Sequence, residues 1–205
     1  MTSESQVIVY NPNVDLTERK SALNNSIQEA VTVGDLRGYK VYTALLTQNG
    51  GDDPMSLGVG DSLVIGVTYF IENNGGSGWD FTNVGAPNND LFTSFVATGT
   101  TPNSWGIDGY LNYNTGAPVV TVLENTIGNI WFTYLNIGTY IISSNSLFTI
   151  NKTATFTTTS SKPNEPYWIT MQAISQEEIY LVQFGVDGST YNNLLSTPIE
   201  IRVYN

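Results

Sequence analysis

From about residue 39 onward, apolar and polar residues alternate along short stretches that clusters of Gly, Asn, Asp or Pro separate. Side chains of an extended strand alternate between two faces, so this pattern is typical of half-buried strands joined by turns. It predicts ten strands, at residues 39–47, 62–72, 91–98, 118–124, 129–135, 139–143, 153–159, 167–173, 178–184 and 197–204. Many short strands at such spacings predict an all-β fold, and we expect a β-sandwich or jelly-roll-like domain.

The N-terminal 38 residues follow a different pattern. Residues 6–10 predict a short strand, and Asp15 with Glu18 forms a possible capping box that opens a short helix. Along that helix, alternating spacings of four and three relate Leu16, Lys20, Leu23, Ile27 and Ala30, which could form either a stripe that associates with copies of itself or one face of a single amphipathic helix. We therefore predict docking or oligomer contacts at Leu16, Leu23, Ile27 and Ala30.

The segment 49–114 combines many glycines with large aromatic residues spread through it. Such a composition favours a compact, turn-rich unit with a small core of rings. We predict that it is a β module inserted into a single sandwich domain, which residues 39–48 and 115–205 make together. Residues 1–38 would then form a separate strand-helix segment for docking or oligomerisation.

The amino-acid composition excludes several kinds of catalytic and metal-binding site. The chain has 25 Thr and 22 Asn, which favour strands and turns respectively, and it contains neither Cys nor His. Without these two residue types, disulfides, thiol nucleophiles, zinc ribbons and a Ser-His-Asp triad are excluded. We therefore expect no enzymatic activity and no cofactor, and predict no catalytic, cofactor-binding or metal-binding residues.

The charge is strongly negative and unevenly distributed. Of the net −11, residues 1–48 contribute −1 (four bases, five acids) and the remainder −10 (three bases, thirteen acids). An acidic chain repels nucleic acid, so we expect no such partner. There is no basic N-terminal region followed by an apolar stretch, and no apolar run of about 18 residues, so we expect neither a signal peptide nor membrane insertion.

Four segments resemble successive pieces of a small β domain that recurs in virion-associated proteins of tailed bacteriophages, including crAss-like phages. They are YKVYTALLTQNG (39–50), TGAPVVTVLENTIGNIWFTY (115–134), SNSLFTINKT (144–153) and NNLLSTPIEIRVYN (192–205). In those relatives the first strand runs almost directly into the second, whereas here the segment 49–114 intervenes. Within it, WDFTNVGAPNNDLFTSFVATGTTPNSW (79–105) resembles a second module of phage structural proteins.

The resemblance implies that the protein belongs to a phage particle, but it assigns no functional role to any residue. It implies a non-catalytic virion structural protein that is exposed on the particle surface as a capsid decoration, head-fibre or tail-fibre component. Such a protein would assemble in the host cytoplasm, contact other virion proteins and form a homo-oligomer, either a dimer or a trimer. The alternative is a glycan- or receptor-binding module at a fibre tip that contacts a host surface glycan.

Aromatic residues are the candidates for that alternative. Rings cover the apolar faces of sugars, so Trp79, Trp105, Tyr110 and Tyr113 are predicted ligand contacts, with core packing as the other interpretation. In the stretch 130–134, alternation places Trp131 on the face opposite Phe132 and Tyr134, so we expect one of these sets to be core.

Acidic residues offer two weaker candidates. Pairs among Asp80, Asp90, Asp108, Glu124, Glu177 and Glu178 could serve glycoside hydrolysis, but most of these acids sit beside Asn or Gly, where turn geometry alone explains them. Asp52 and Asp53 between glycines could hold calcium, but the spacing of a calcium loop is missing and a plain turn is the simpler interpretation.

Overall fold

A computed structural model describes residues 37–48, 50–73, 77–157, 161–162 and 165–205. The predicted strand at 6–10, the N-terminal helix and its apolar stripe lie outside the described residues. Residues 39–205 form one compact unit. Its strands are β1 (Tyr39–Thr47), β2 (Pro54–Leu57), β3 (Thr68–Asn73), β4 (Trp79–Asp80), β5 (Ser94–Val96), β6 (Ser104–Trp105), β7 (Gly109–Asn114), β8 (Val119–Asn125), β9 (Ile130–Asn136), β10 (Thr139–Ser144), β11 (Thr153–Thr157), β12 (Ser161–Lys162), β13 (Glu165–Ala173), β14 (Glu178–Gly185) and β15 (Thr197–Tyr204).

The all-β class predicted from the sequence is confirmed. In the part of the chain that the structure describes, the helical content is one 3₁₀ turn at Thr82–Val84. None of these residues belongs to a helix long and apolar enough to cross a membrane.

Two antiparallel sheets pack face to face as a sandwich. The first has the strand order β11-β15-β1-β8, and the second β12-β13-β14-β10-β9. Alternation along β1 directs Tyr42, Ala44 and Leu46 inward, and β14 directs Ile179 and Leu181 toward them from the second sheet. Because each sheet contributes one apolar face, the inner faces exclude water between them.

The segment between β1 and β8 builds its own sheet. It has the order β2-β7-β3-β5, with β4 and β6 paired beside it, whereas β1 and β8 are neighbours in the first sheet of the sandwich. The chain therefore leaves the sandwich after β1 and returns to pair beside it. A second hydrophobic cluster fills this insert; its buried members are Leu63, Tyr69, Ile71, Phe81, Val84, Ala86, Phe95, Ala97 and Leu111.

The observed strands differ from the predicted ones mainly within the insert. The strand predicted at 62–72 begins only at Thr68, because Gly66 takes a φ of +87° and interrupts the extended backbone. The strand predicted at 91–98 shrinks to Ser94–Val96, since Phe92 has a φ of +67°. Strands β2, β4, β6, β7 and β12 were not predicted.

Candidate functional site

The insert contacts the sandwich along β8 and β9, the edge strands of the two sheets. The Val120 amide donates to the Gly66 carbonyl at 2.8 Å, and the Phe132 amide donates to the Thr68 hydroxyl at 3.1 Å. The Asn129 side chain also donates to the Ser94 carbonyl. Backbone groups that would be free on an edge strand are thus satisfied by the insert. We call this contact zone the junction, and a pocket of about 600 Å³ lies along it.

Trp79 and Trp105, two of the predicted ligand contacts, are brought together in the structure. They are cross-strand partners in the β4–β6 pair, and both are partly buried against the cluster of the insert. The Trp105 ring meets Phe81 edge to face at 5.3 Å, while the Trp79 indole donates to the Asn89 carbonyl. Both side chains therefore have a packing role in the insert.

Tyr110 and Tyr113, the other two predicted contacts, lie three positions apart on β7 and therefore point to opposite faces of its sheet. Tyr113 packs on the insert cluster with its ring 5.3 Å from Tyr69. Tyr110 lies on the other face, beside its cross-strand partner Glu72. Loss of hydration and the Glu72 carboxylate raise the pKa of the Tyr110 phenol. The structure thus does not gather the four aromatic residues into one platform.

Asp80 is the most heavily hydrogen-bonded acid of the candidates. Its carboxylate accepts from the Thr82 amide and hydroxyl, at 3.0 and 2.6 Å, and from the side chains of Asn89 and Asn103, at 3.2 and 3.0 Å. These donors, with the Thr82 hydroxyl first, hold the pKa of Asp80 well below its usual value. Because its oxygens are engaged in joining three loop segments, Asp80 has a structural role.

The structure does not bring Asp90 and Asp108 into one pocket. Asp90 and Asp108 line separate pockets, and Asp52 accepts from Asn114 at 2.7 Å where the chain enters and leaves the insert. In the described ranges, no group of three or more acidic side chains could hold a metal ion. The four pockets described here each contain at most one carboxylate in their walls.

A second concave site lies where β9 meets the loop before β5. It has a volume of about 280 Å³, and its walls include Phe92, Trp131, Asp90 and Asn145. Phe92 is 67% exposed and has a positive φ, which is costly for a bulky residue. Its ring centroid lies 5.7 Å from that of Phe70, with the two rings tilted. The sequence pattern placed Trp131 on the face opposite Phe132 and Tyr134, but it did not single out Phe92. Only the fold brings the loop at 90–94 to β9.

The outer face of the second sheet carries several large apolar side chains among uncharged polar ones. Trp168 of β13 and Phe184 of β14 are cross-strand partners there, and Trp168 is 49% exposed. We define this aromatic face by its outward side chains Trp168, Phe184, Val182, Tyr180 and Ile141. At the outward positions whose side chains the structure describes in β9, β10, β13 and β14, Glu178 is the one charged residue.

The predicted docking residues Leu16, Leu23, Ile27 and Ala30 lie outside the described residues, so the structure does not bear on them. Comparison of the chain with models of known protein families, with curated proteins and with solved structures found no match.

Proposed function

We propose that this chain is a non-catalytic structural protein displayed on the surface of a tailed-bacteriophage particle, where it assembles with copies of itself and with other virion proteins. The aromatic face is the observation that carries the assembly part of this proposal. Large apolar side chains on an exposed sheet face mark a surface that another protein covers. The phage setting rests on the resemblance of the sequence segments described above.

Charge favours a second copy of the chain as the occupant of this face. The chain carries −11 overall, so two copies repel each other wherever their acidic surfaces meet. Among the outward side chains that the structure describes on this face, Thr170 and Val182 stand between the rings, and Glu178 at one end is the one charged residue. Copies can therefore pack there without bringing many carboxylates together. An exposed sheet face can also form the self-complementary contact of a twofold dimer.

The outer face of the first sheet provides a contrast. There Arg202 forms an ion pair with Glu200, and its guanidinium lies 4.8 Å from the Tyr39 ring and 4.7 Å from the Phe156 ring. Burying this face would remove a charged pair from water, which costs free energy unless the partner compensates. The first sheet is therefore the less favourable surface for self-association.

The test is the mass of the full chain in solution as a function of concentration, measured by sedimentation equilibrium. We expect a concentration-dependent dimer, and we expect Trp168→Glu to weaken it at least about tenfold because a charge would be buried. Phe156→Glu is the matched control, since Phe156 is 45% exposed on the first sheet. A chain that stays monomeric, or a control that dissociates equally, would contradict assembly through the aromatic face.

Two further measurements test whether the N-terminal stripe joins the copies instead, and whether the chain is displayed on the particle surface. If the N-terminal stripe joins the copies instead, the double substitution Leu23→Asp and Ile27→Asp would dissociate them while Trp168→Glu would not. The virion setting is tested by labelling intact particles with an antibody against the chain. Particles that contain the chain but bind no antibody would contradict surface display.

The second candidate function is binding of a host glycan, and the Phe92–Trp131 site favours it. One exposed ring, Phe92, and one partly buried ring, Trp131, lie beside a carboxylate and an amide, and such groups recognise the apolar and hydroxyl faces of a sugar. In a glycan-array screen, binding that is lost in Trp131→Ala and Phe92→Ala but kept in Trp168→Ala would support this function. Absence of binding to any glycan would argue against it.

A further inference from the structure

The outer face of the insert sheet borders a cleft beside β9. Ser94, Phe70 and Asn112 are cross-strand partners on β5, β3 and β7, so their side chains lie in one row on the same face. Alternation along the strands places this row on the face opposite the insert cluster. A pocket of about 310 Å³ lies between the row and the residues Thr133 and Tyr134 of β9. We call this space the β9 cleft.

The β9 cleft is adjacent to the Phe92–Trp131 site. Ser94 belongs to the walls of both, and the Phe70 ring at the cleft lies 5.7 Å from the Phe92 ring of the site. On the opposite side, Trp131 and Thr133 are two positions apart on β9, so they face the same way at a spacing of about 7 Å. Each space has an aromatic ring in its wall, and together they form one groove along β9, which we call the β9 groove.

Hydrogen bonds at the floor of the groove hold its two sides together. The Phe132 amide donates to the Thr68 hydroxyl at 3.1 Å, and both residues are buried in the lining of the cleft. The side chain of Asn129, just before β9, donates to the Ser94 carbonyl at 2.9 Å. Because both bonds join the insert to the sandwich, the fold sets the separation of the walls. A ligand therefore does not have to bring them together, which favours binding.

A carboxamide of the cleft wall is held in a fixed orientation. The Asn112 side chain donates to the Glu72 carboxylate and accepts from the Ser56 hydroxyl at 2.5 Å. An amide group has two N–H donors and two acceptor positions, so Asn112 can bond a ligand while it keeps both partners. A donor next to an acceptor matches a sugar hydroxyl, which both donates and accepts.

Charge limits the class of sugar that the groove can hold. Among the residues that the structure describes, no Lys or Arg lines either pocket, whereas Asp90 lies in the wall of one. The Glu72 carboxylate bonded to Asn112 adds a second negative charge nearby, and the whole chain carries −11. An anionic sugar would be repelled and would find no cation in these walls to pair with. A neutral sugar, by contrast, can donate its hydroxyls to a carboxylate.

We propose that the β9 groove binds a neutral linear oligosaccharide of at least two rings, one in the Phe92–Trp131 site and the next in the β9 cleft. This inference rests on the glycan-binding candidate function above and names its ligand class. Trp131 and Phe70 each cover the apolar face of one sugar ring. Asp90 and Asn112 each bond hydroxyls of the ring beside them. Oligomers of uronic or sialic acids are disfavoured.

The test is the affinity of the full chain for sugars of increasing length, measured by isothermal titration calorimetry. The neutral probes are glucose, galactose and N-acetylglucosamine with their linear oligomers of two to four rings, and the anionic probes are galacturonate oligomers of the same lengths. In the neutral series that binds, we expect the two-ring sugar to bind at least about tenfold more tightly than the single ring, because it fills both spaces. Galacturonate oligomers should bind at least about tenfold more weakly.

Three substitutions locate the two rings. Asn112→Ala removes a polar group of the β9 cleft alone, so it should weaken binding of the two-ring sugar about twofold to tenfold and leave the single ring unchanged. Trp131→Ala should weaken binding of both. Asn136→Ala makes the same replacement on β9 outside both pockets, and it should change neither affinity. Near-UV circular dichroism reports whether each variant keeps its fold.

The outcomes distinguish the extended groove from the candidate function on which it rests. Equal affinity for one and two rings, with no effect of Asn112→Ala, would overturn the extended groove and leave glycan binding at Trp131 intact. Galacturonate oligomers that bind as tightly as neutral ones would overturn the neutral ligand class. Failure of every sugar to bind would overturn both the inference and the candidate function. If Asn112→Ala fails to fold, the length series on the unaltered chain decides.

Discussion

The sandwich and its insert are stabilised in different ways, although they form one compact unit. Long paired strands surround the sandwich core, in which aliphatic residues such as Ile142, Leu181 and Ile201 predominate. The insert has shorter strands and half as many buried cluster residues, nine against eighteen, with partly buried rings such as Trp79 and Trp105 closing its edges. Side-chain hydrogen bonds, such as those that Asp80 accepts, also join the loops of the insert.

This difference indicates which part of the molecule we expect to unfold first. A segment with few buried apolar residues and short ladders unfolds locally at lower free energy than a core with long strands. Yet Val96, on β5 of the insert, belongs to the cluster of the sandwich, so the insert is tied to the larger core. We therefore expect the wild type to unfold in one transition that substitutions in the insert can split.

The largest effect is expected from a matched pair of buried phenylalanines. Phe132 of the sandwich and Phe81 of the insert are both 0% exposed. Replacing either by Ala should cost about 3–5 kcal/mol. In urea titrations followed by near-UV circular dichroism, Phe132→Ala should shift a single transition, whereas Phe81→Ala should add an earlier one. Hydrogen exchange would then show β7 opening before β14. A single shifted transition in both variants would mean that the insert has no independent unfolding.

The second largest loss of stability is expected from a substitution at the junction. The Thr68 hydroxyl, on the insert, accepts the buried amide of Phe132 on the edge strand β9. Thr68→Val keeps the shape of the side chain and removes the acceptor, so it should destabilise the chain by about 1–3 kcal/mol. Chemical denaturation would measure this loss. Thr133→Val, at an exposed position on β9, is the control and should change stability little. Equal effects would show that the Thr68 bond does not contribute to the junction.

The sequence pattern predicted strands correctly where one face of the strand packs on a core. It failed where contacts between segments distant in sequence determine the structure. The predicted strands 39–47 and 197–204 match β1 and β15, because alternating apolar residues mark the buried face of each. Strand β7 was not predicted, since Gly109, Asn112 and Asn114 favour turns. Gly109 is nevertheless suited to its place, because a Cβ there would lie 2.3 Å from the Trp105 carbonyl oxygen.

The candidate sites show the same limit. Alternation placed Phe132 on the face opposite Trp131, and Phe132 is fully buried in the core. No local pattern, however, reveals that Gly66 approaches Val120, or that the loop at Phe92 lies beside Trp131. Both concave sites arise at the junction, where residues far apart in sequence meet. Their lining could therefore not be predicted without the fold.

A smaller effect is expected from a pair of buried tyrosines. The Tyr69 hydroxyl in the insert accepts the Val64 amide at 2.9 Å, whereas the Tyr42 hydroxyl in the sandwich has no partner within the described residues. Tyr69→Phe should therefore cost about 0.5–1.5 kcal/mol, and Tyr42→Phe should leave stability unchanged or raise it. Thermal and urea unfolding would compare the two. Destabilisation by Tyr42→Phe equal to that by Tyr69→Phe would reveal a hidden partner for the Tyr42 hydroxyl.

The smallest effect is expected from two carboxylates, the half-buried Asp80 in the insert and the exposed Asp187 in the loop after β14. Backbone and side-chain donors, the Thr82 hydroxyl at Asp80 and the Ser189 amide at Asp187 foremost, lower the pKa of both in the folded state. Their stabilising contribution is therefore complete above the unfolded pKa of about 3.9 and is lost as the pH falls through the lower folded pKa. Stability measured between pH 6 and pH 2 should decline less steeply in Asp80→Asn than in the wild type. Asp80 accepts more hydrogen bonds than Asp187, so Asp187→Asn should reduce the loss of stability at low pH by less. A larger reduction in Asp187→Asn than in Asp80→Asn would mean that the more acid-sensitive contact lies in the sandwich.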